Sequence, residues 1–344
     1  LWGRLGSPDS GSVRLTDLDV ATGSTPRLFA TTMASEPGDL YFSTRVSWAD
    51  PGADAPSWTS TEPVTLDGPT YHGSLALDDR SFDAYYVYLA YSGDDSDGND
   101  IWFVRSTDQG QTWETPYRIG ELTGGENLVY RFPRVDYGFG GVVHVAWTYS
   151  ERNQDTFDDA VAYRRAIDYA GSPGSWQSGP VVITSAFDGF NDVAVDLTAS
   201  LDDDTVLLAY GTGTGSLAGV DLRHSTDGGF SWPLDSFFDL TWEGGRFVYQ
   251  RPTGQFVGVV SDFTDARRVG IIRASTASPA SWSGPQTFTD AANAPLVTEE
   301  LALDPSRDEQ VAVLARTNSS TGFDLYFDAE WRGEPGIPNL DHGT

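Results

Sequence analysis

Cysteine and lysine are both absent from the 344 residues, and methionine occurs once. Without cysteine there is neither a disulfide framework nor a thiolate metal site, so stability must come from a packed core. No apolar run approaches the ~18 residues needed to cross a bilayer, and no helical apolar period persists over three turns. The missing lysine means that all 21 basic residues are arginines, set against 50 acidic ones for a net charge of −29. Such a shell repels a phosphate backbone at long range, which argues against a nucleic-acid partner. It suits a saline or extracellular setting, where salt screens the self-repulsion. The chain opens at Leu1 with no basic-then-apolar leader, as expected of a processed or excised chain.

What the sequence has in quantity is β signal. Glycine occurs 37 times and aromatics make up 13% of the chain, and short Val/Leu/Tyr runs are bounded by Gly, Asp, Ser and Pro. Two segments are near-copies: STDQGQTW from Ser106 to Trp113 and STDGGFSW from Ser225 to Trp232, each after an apolar strand ending in Arg. Weaker copies of the same frame end at Trp58, Trp176, Trp282 and Trp331. Strongly apolar runs precede them, starting at Arg27, Tyr85, Val142, Thr205, Gln255 and Gln310, and a short strand follows most of the tryptophans. Four strands per unit, repeated six times, predict an all-β chain: a single domain over 1–344 built as a six-bladed β-propeller of four-stranded antiparallel blades. The blades fall at about 7–67, 68–120, 121–184, 185–241, 242–290 and 291–331. Residues 1–6 are expected to complete the last blade, with Leu1 to Leu5 beside the strand at Phe323 to Ala329, because a shared blade removes an open edge.

In the two strong copies the residues have a structural reading. Asp108 or Asp227 accepts hydrogen bonds from turn N–H groups beside Ser106 or Ser225. Gly110 or Gly229 supplies the unusual backbone angle, and Trp113 or Trp232 is buried between blades. The units resemble the bacterial-neuraminidase repeats, or Asp-boxes, of the sialidase superfamily, over nearly the whole chain. That resemblance implies a six-bladed propeller. It also implies, for the active members, an arginine triad that binds a substrate carboxylate, a Tyr nucleophile activated by a Glu, and an Asp acid/base on the axial face opposite the Asp-boxes.

Carried over residue by residue, the family pattern points to Arg14 in VRLT, Arg131 in YRFPR and Arg246 in GGRFVY as the arginines. Tyr130 with Glu126, or Tyr249 with Glu243, stand as nucleophile and base, and Asp39 or Glu36 as the acid. The first-blade motif and the order of the arginines depart from the family, and pairing of these arginines with inner-strand carboxylates such as Asp17, Asp136 and Asp192 is the competing reading. In GDDSDGNDI, Asp95, Asp97, Asn99 and Asp100 surround Gly98 with the dense oxygen spacing of a calcium loop, against the alternative of a solvated acidic turn. The four histidines, His72, His144, His224 and His342, fall in separate units without ligand spacing, so a histidine-built site is not expected, and His144 reads as a core residue. The expectation for function is a secreted or cell-surface module, without hydrolase activity, that binds a glycan or a neighbouring protein subunit. The alternative is an exo-glycosidase acting on an acidic sugar.

Overall fold

The computed structural model describes residues 13–21, 27–34, 43–49, 59–61, 70–78, 86–95, 98–120, 128–151, 160–169, 172, 175–184, 195–212, 219–238, 242–262, 268–283, 286–289, 296–303, 311–319 and 322–330. Apart from short 3-10 turns at Phe139–Gly141 and Arg251–Thr253, the regular elements among them are strands. The first sheet is β1 (Val13–Ala21), β2 (Arg27–Ala34), β3 (Ser43–Ala49) and β4 (Thr59–Thr61). The second is β5 (Thr70–Asp78), β6 (Tyr86–Asp95), β7 (Gly98–Ser106) and β8 (Tyr117–Arg118), and the third β9 (Leu128–Tyr137), β10 (Val142–Glu151), β11 (Ala160–Tyr169) and β12 (Val181–Thr184). The fourth holds β13 (Val195–Ala199), β14 (Val206–Thr212), β15 (Gly219–Ser225) and β16 (Leu234–Phe238), and the fifth β17 (Trp242–Gln250), β18 (Gln255–Asp262), β19 (Arg268–Ser275) and β20 (Gln286–Thr289). The sixth contributes β21 (Leu296–Leu303), β22 (Val311–Ser319) and β23 (Gly322–Glu330). Each sheet is an antiparallel meander in chain order. The expected pairing of Leu1 to Leu5 lies outside the described residues.

The second strands of the second and fourth sheets are apolar on both faces because each of these sheets is covered on both sides. On β6, Val87, Leu89 and Tyr91 join Phe29 and Val46 of the first sheet, while Tyr88 and Ala90 join Val145 and Trp147 of the third. On β14, Val206, Leu208 and Tyr210 face the third sheet, and Leu207 and Ala209 face Phe247 and Phe256 of the fifth. Period-2 alternation thus distributes one apolar run between two inter-sheet cores.

The first strand of each sheet packs against the first strand of the next, from β1 through β5, β9, β13 and β17 to β21. Side chains fasten three of these junctions. Ser74 Oγ accepts Val135 N–H at 3.2 Å, Asp136 Oδ2 accepts Ala199 N–H at 2.9 Å, and Asp196 Oδ2 accepts Phe247 N–H at 2.5 Å. Each bond satisfies a backbone donor that no strand ladder reaches.

The two near-copy turns fold alike. Ser106 Oγ donates to Asp108 Oδ1 and accepts Gly110 N–H, and Asp108 takes both the N–H and the hydroxyl of Thr112. Ser225, Asp227, Gly229 and Ser231 repeat the pattern. Partial burial works against ionisation of Asp108 and Asp227, but these hydrogen bonds outweigh it and hold both carboxyls below the usual range. Gly110 has φ +80° and Gly229 φ +90°. A Cβ on either would also meet the preceding sheet, at Phe29 and at the Tyr163 hydroxyl respectively. The tryptophans lean the same way. Trp113 Nε1 donates to Thr61 Oγ1 of the first sheet at 3.1 Å, Trp232 stacks edge-on to Tyr163 at 4.8 Å, and Trp176 edge-on to Phe103 at 5.0 Å. Trp113 and Trp232 were expected to be buried between sheets. Both are half-buried, because each sits on a chain-reversing turn at the sheet end and covers the neighbouring sheet with only one face.

Candidate functional site

Five of the six first strands carry a bulge. The register against the second strand shifts between Leu15 and Asp17, Tyr71 and Ser74, Arg131 and Arg134, Glu243 and Gly245, and Thr298 and Glu300. A bulge bends a strand and re-aims its side chains, and its recurrence here is part of the repeat. Two of the five differ from the rest. His72 has φ +45° and Phe132 φ +48°, left-handed conformations that cost a non-glycine residue roughly 1–3 kcal/mol. They belong to the adjacent strands β5 and β9, both are half-buried, and their rings meet with centroids 4.3 Å apart.

The same bulge on β9 sets the arginines. Arg131 lies opposite Thr148 and Arg134 opposite Ala146. Thr148 and Ala146 are two residues apart, on one face of β10, so Arg131 and Arg134 also share a face. Arg134 Nε lies 3.6 Å from Asp196 Oδ1 and donates to Val195 O, while Arg246 Nη1 lies 3.6 Å from the same Asp196 Oδ1. One carboxylate therefore gathers guanidiniums from the two flanking strands, β9 and β17. Asp136, four residues on from Phe132, is pushed up to about 7 by burial, against the N–H donations of Ala199 and Tyr137 and a hydrogen bond from Thr198.

The residues singled out from sequence fare unequally. Arg246 is brought to Asp196, and its companion there is Arg134, which sequence reading passed over. Arg131 stands on the same β9 face, half-buried. Arg14 is placed on β1 opposite Met33 and Glu243 on β17 opposite Ser261, with their side chains outside the described residues, as are Glu36, Asp39 and Glu126 altogether. Tyr130 is enclosed in the core between the second and third sheets, at 3% exposure. Tyr249 donates its hydroxyl to Asp202 at 2.8 Å beside the turn that leads into β18. Burial, with Asp202 and Asp203 adding to it, pushes that hydroxyl up to about 12, the reverse of what activates a phenol as a nucleophile.

Within the acidic loop, Asn99 Oδ1 accepts Tyr130 N–H at 2.6 Å. Asp100 is buried with its carboxylate held by Arg118, Nε at 2.8 Å and Nη2 at 2.7 Å. The Asp95 side chain and Asp97 lie outside the described residues, and no group of three or more potential metal ligands occurs among the described ones. His144 is buried against the Tyr163 hydroxyl at 2.6 Å, and burial followed by the Arg165 charge lowers it to about 3.

No family model matches the chain, and no curated protein does. Solved structures match its fold. They include NanB sialidase from Streptococcus pneumoniae, with TM-score 0.60 and 10% identity over 94% of this chain and 68% of that one. A polysaccharide lyase, the PL25 ulvan lyase, matches with TM-score 0.60 and 12% identity over 90% and 78%. An α-L-arabinanase from Penicillium chrysogenum matches with TM-score 0.54 and 15% identity over 88% of each chain. At these identities the likeness shows the fold alone, an all-β propeller architecture. No helix among the described residues is long and apolar enough to cross a membrane.

Proposed function

We propose that this chain is a six-bladed, sialidase-like propeller that cleaves glycosidic linkages at an acidic sugar, the sugar docking where the bulges of β5 and β9 meet. The observation that carries this reading is the contact of His72 with Phe132. Two non-glycine residues held in strained conformations on neighbouring first strands, with Arg131 and Arg134 on either side of one of them, are what a preorganised site requires and a plain repeat does not. Arg131, next to Phe132 in the chain and half-buried, supplies the cation that a carboxylate or sulfate group would need in a chain of such negative charge. The fold neighbours named as a sialidase, an arabinanase and a polysaccharide lyase support a catalytic reading over the non-catalytic module expected from sequence. A secreted or surface location in saline surroundings fits the same reading, since screening lets an anionic substrate approach.

The test is release of new chain ends from a fluorogenic sialoside, arabinan and uronate-containing polysaccharides. Cleavage of at least one acidic substrate, lost in Arg131→Ala, supports the proposal. Binding without cleavage across the panel would return the chain to the role of a glycan-binding module.

A further inference from the structure

We infer a second ligand site, away from the β5–β9 bulges: a docking point for a neutral glycan chain, formed by Phe230, Phe139 and a hollow beside Arg165. It stands without the cleavage reading above.

Four large apolar side chains are exposed among the described residues: Phe139, Ile167, Val182 and Phe230. Scattered singly they would need no explanation. Three of them gather at one end of the third and fourth sheets. The β9–β10 turn that carries Phe139 packs on β11, which carries Ile167. Phe139 N–H donates to Ser200 O of the β13–β14 turn at 2.8 Å, and Asp204 O of that turn accepts Gly228 N–H at 2.7 Å, two residues before Phe230. Arg165 of β11 closes the circuit: its Nη1 donates to Gly228 O, and its guanidinium lies 4.2 Å from the centre of the Phe230 ring.

The two serine-aspartate turns differ at two places on this surface. In the first, Gln109 has φ +65° and its carbonyl accepts Arg27 Nη1 at 3.3 Å, as Gly228 O accepts Arg165. Gly228 has φ +69°, so the backbone is alike and the side chain alone is gone. A Cβ there would lie 2.7 Å from Arg165 Nη1 and 3.4 Å from Asp204 Oδ1. Beside it is a hollow with room for about one water-sized group, lined by Arg165, His144, Asp203, Asp204 and Phe139. Two residues on, Phe230 stands where the first turn carries Gln111. Both differences border the hollow, and the first turn folds without either.

Arg165 is 7% exposed, yet its guanidinium is met by the Ala166 and Gly228 carbonyls and an aromatic ring, not by a carboxylate. A guanidinium and the carboxylates of Asp203 and Asp204 around one small hollow suit a hydroxyl group, which accepts from the first and donates to the second. An anionic group would be repelled by the two aspartates. Arg165 covers one face of Phe230, and the ring is 58% exposed, so its other face is open to the C–H face of a sugar. Phe139, 49% exposed, offers a second ring at the same hollow. Three apolar side chains are too little ground for a stable protein interface. Phe132 precedes Phe139 by roughly 20 Å of extended strand, so a glycan held here is anchored apart from the bulges.

The experiment measures binding of the full chain to arabinan, galactan and xylan by affinity electrophoresis, with polygalacturonate as the acidic comparison. It is done in the Arg131→Ala background, so that the β5–β9 bulges do not contribute. At least one neutral polysaccharide should bind, and Phe230→Gln and Gly228→Gln should each weaken that binding ~10-fold or more. Because Gln111 holds the same place in the first turn, Phe230→Gln should melt with its parent. With Arg131 restored, Phe230→Gln should release new chain ends from an acidic polysaccharide at the wild-type rate, which separates the two sites. Neutral binding undiminished in both variants, binding confined to polygalacturonate, or no binding at all would overturn this inference and leave the cleavage reading untouched. Self-association abolished by Phe230→Gln, with no polysaccharide bound, would overturn it in favour of a second copy of the chain.

Discussion

His72 and Phe132 lie ring against ring, 4.3 Å apart, each in the left-handed region and each at the bulge of its own strand. Strain of this kind persists only where surrounding structure imposes it. Replacing His72 by glycine removes the strain in the folded chain but loosens the unfolded one, and the two effects are of similar size. His72→Gly should therefore melt within about 1 kcal/mol of wild type. A loss well beyond that in thermal or urea unfolding would mean that the imidazole is a structural support.

Gly229 combines a left-handed backbone with a Cβ that would fall on the Tyr163 hydroxyl. Gly211 has open space around it. Gly229→Ala should destabilise by roughly 2 kcal/mol or more, from overpacking plus backbone strain, and Gly211→Ala by much less. Denaturant midpoints for the two variants check the ranking.

Asp136 and His144 lie opposite each other in the β9–β10 register and oppose each other in pH dependence. With Asp136 at about 7 when folded, the native chain holds a proton that the unfolded chain has lost between about pH 4 and 7, so this group's stabilisation falls as pH rises there. With His144 at about 3, the unfolded chain binds the extra proton between about pH 3 and 6.5, so stability falls as pH falls. Asp136→Asn removes the first effect alone. Relative to wild type, it should gain more stability at pH 7 than at pH 4, measured by urea unfolding. An equal shift at both values would contradict the linkage.

Asp100 is 2% exposed and its charge is met by Arg118. Arg118→Ala strands a buried carboxylate and should cost about 3 kcal/mol. Because Asn99 and Asp100 are bound to protein groups, a chelator is expected to leave the melting temperature of the wild-type chain unchanged. A fall that added calcium reverses would assign an ion to the Asp95 and Asp97 turn.

The strands and the two serine-aspartate turns were legible in sequence because they follow local rules: period-2 apolar runs, a glycine where φ is positive, and a tryptophan at a fixed offset. The site was less so. Arg131 and Arg134 are three residues apart, and strict alternation assigns them to opposite faces; only the bulge at Phe132 and Pro133 restores them to one. A bulge leaves little trace in a sequence that already alternates imperfectly, and for the same reason His72 read as an isolated histidine. Tyr130 and Tyr249 were singled out for their nearness to arginine in the chain, whereas burial of the first and the Asp202 bond of the second are tertiary facts.

Glycan cleavage at the β5–β9 bulges is tested most directly by the rate of new chain ends from an acidic polysaccharide at low and high salt, in wild type and Arg131→Ala. The repulsive field of a −29 chain fades as the Debye length shortens from ~10 Å at 0.1 M to ~3 Å at 1 M salt. Wild type should therefore cleave with a KM that falls as salt rises, and Arg131→Ala should lose the activity at every salt concentration. Absence of new ends at any ionic strength, or cleavage undiminished in Arg131→Ala, would contradict the account.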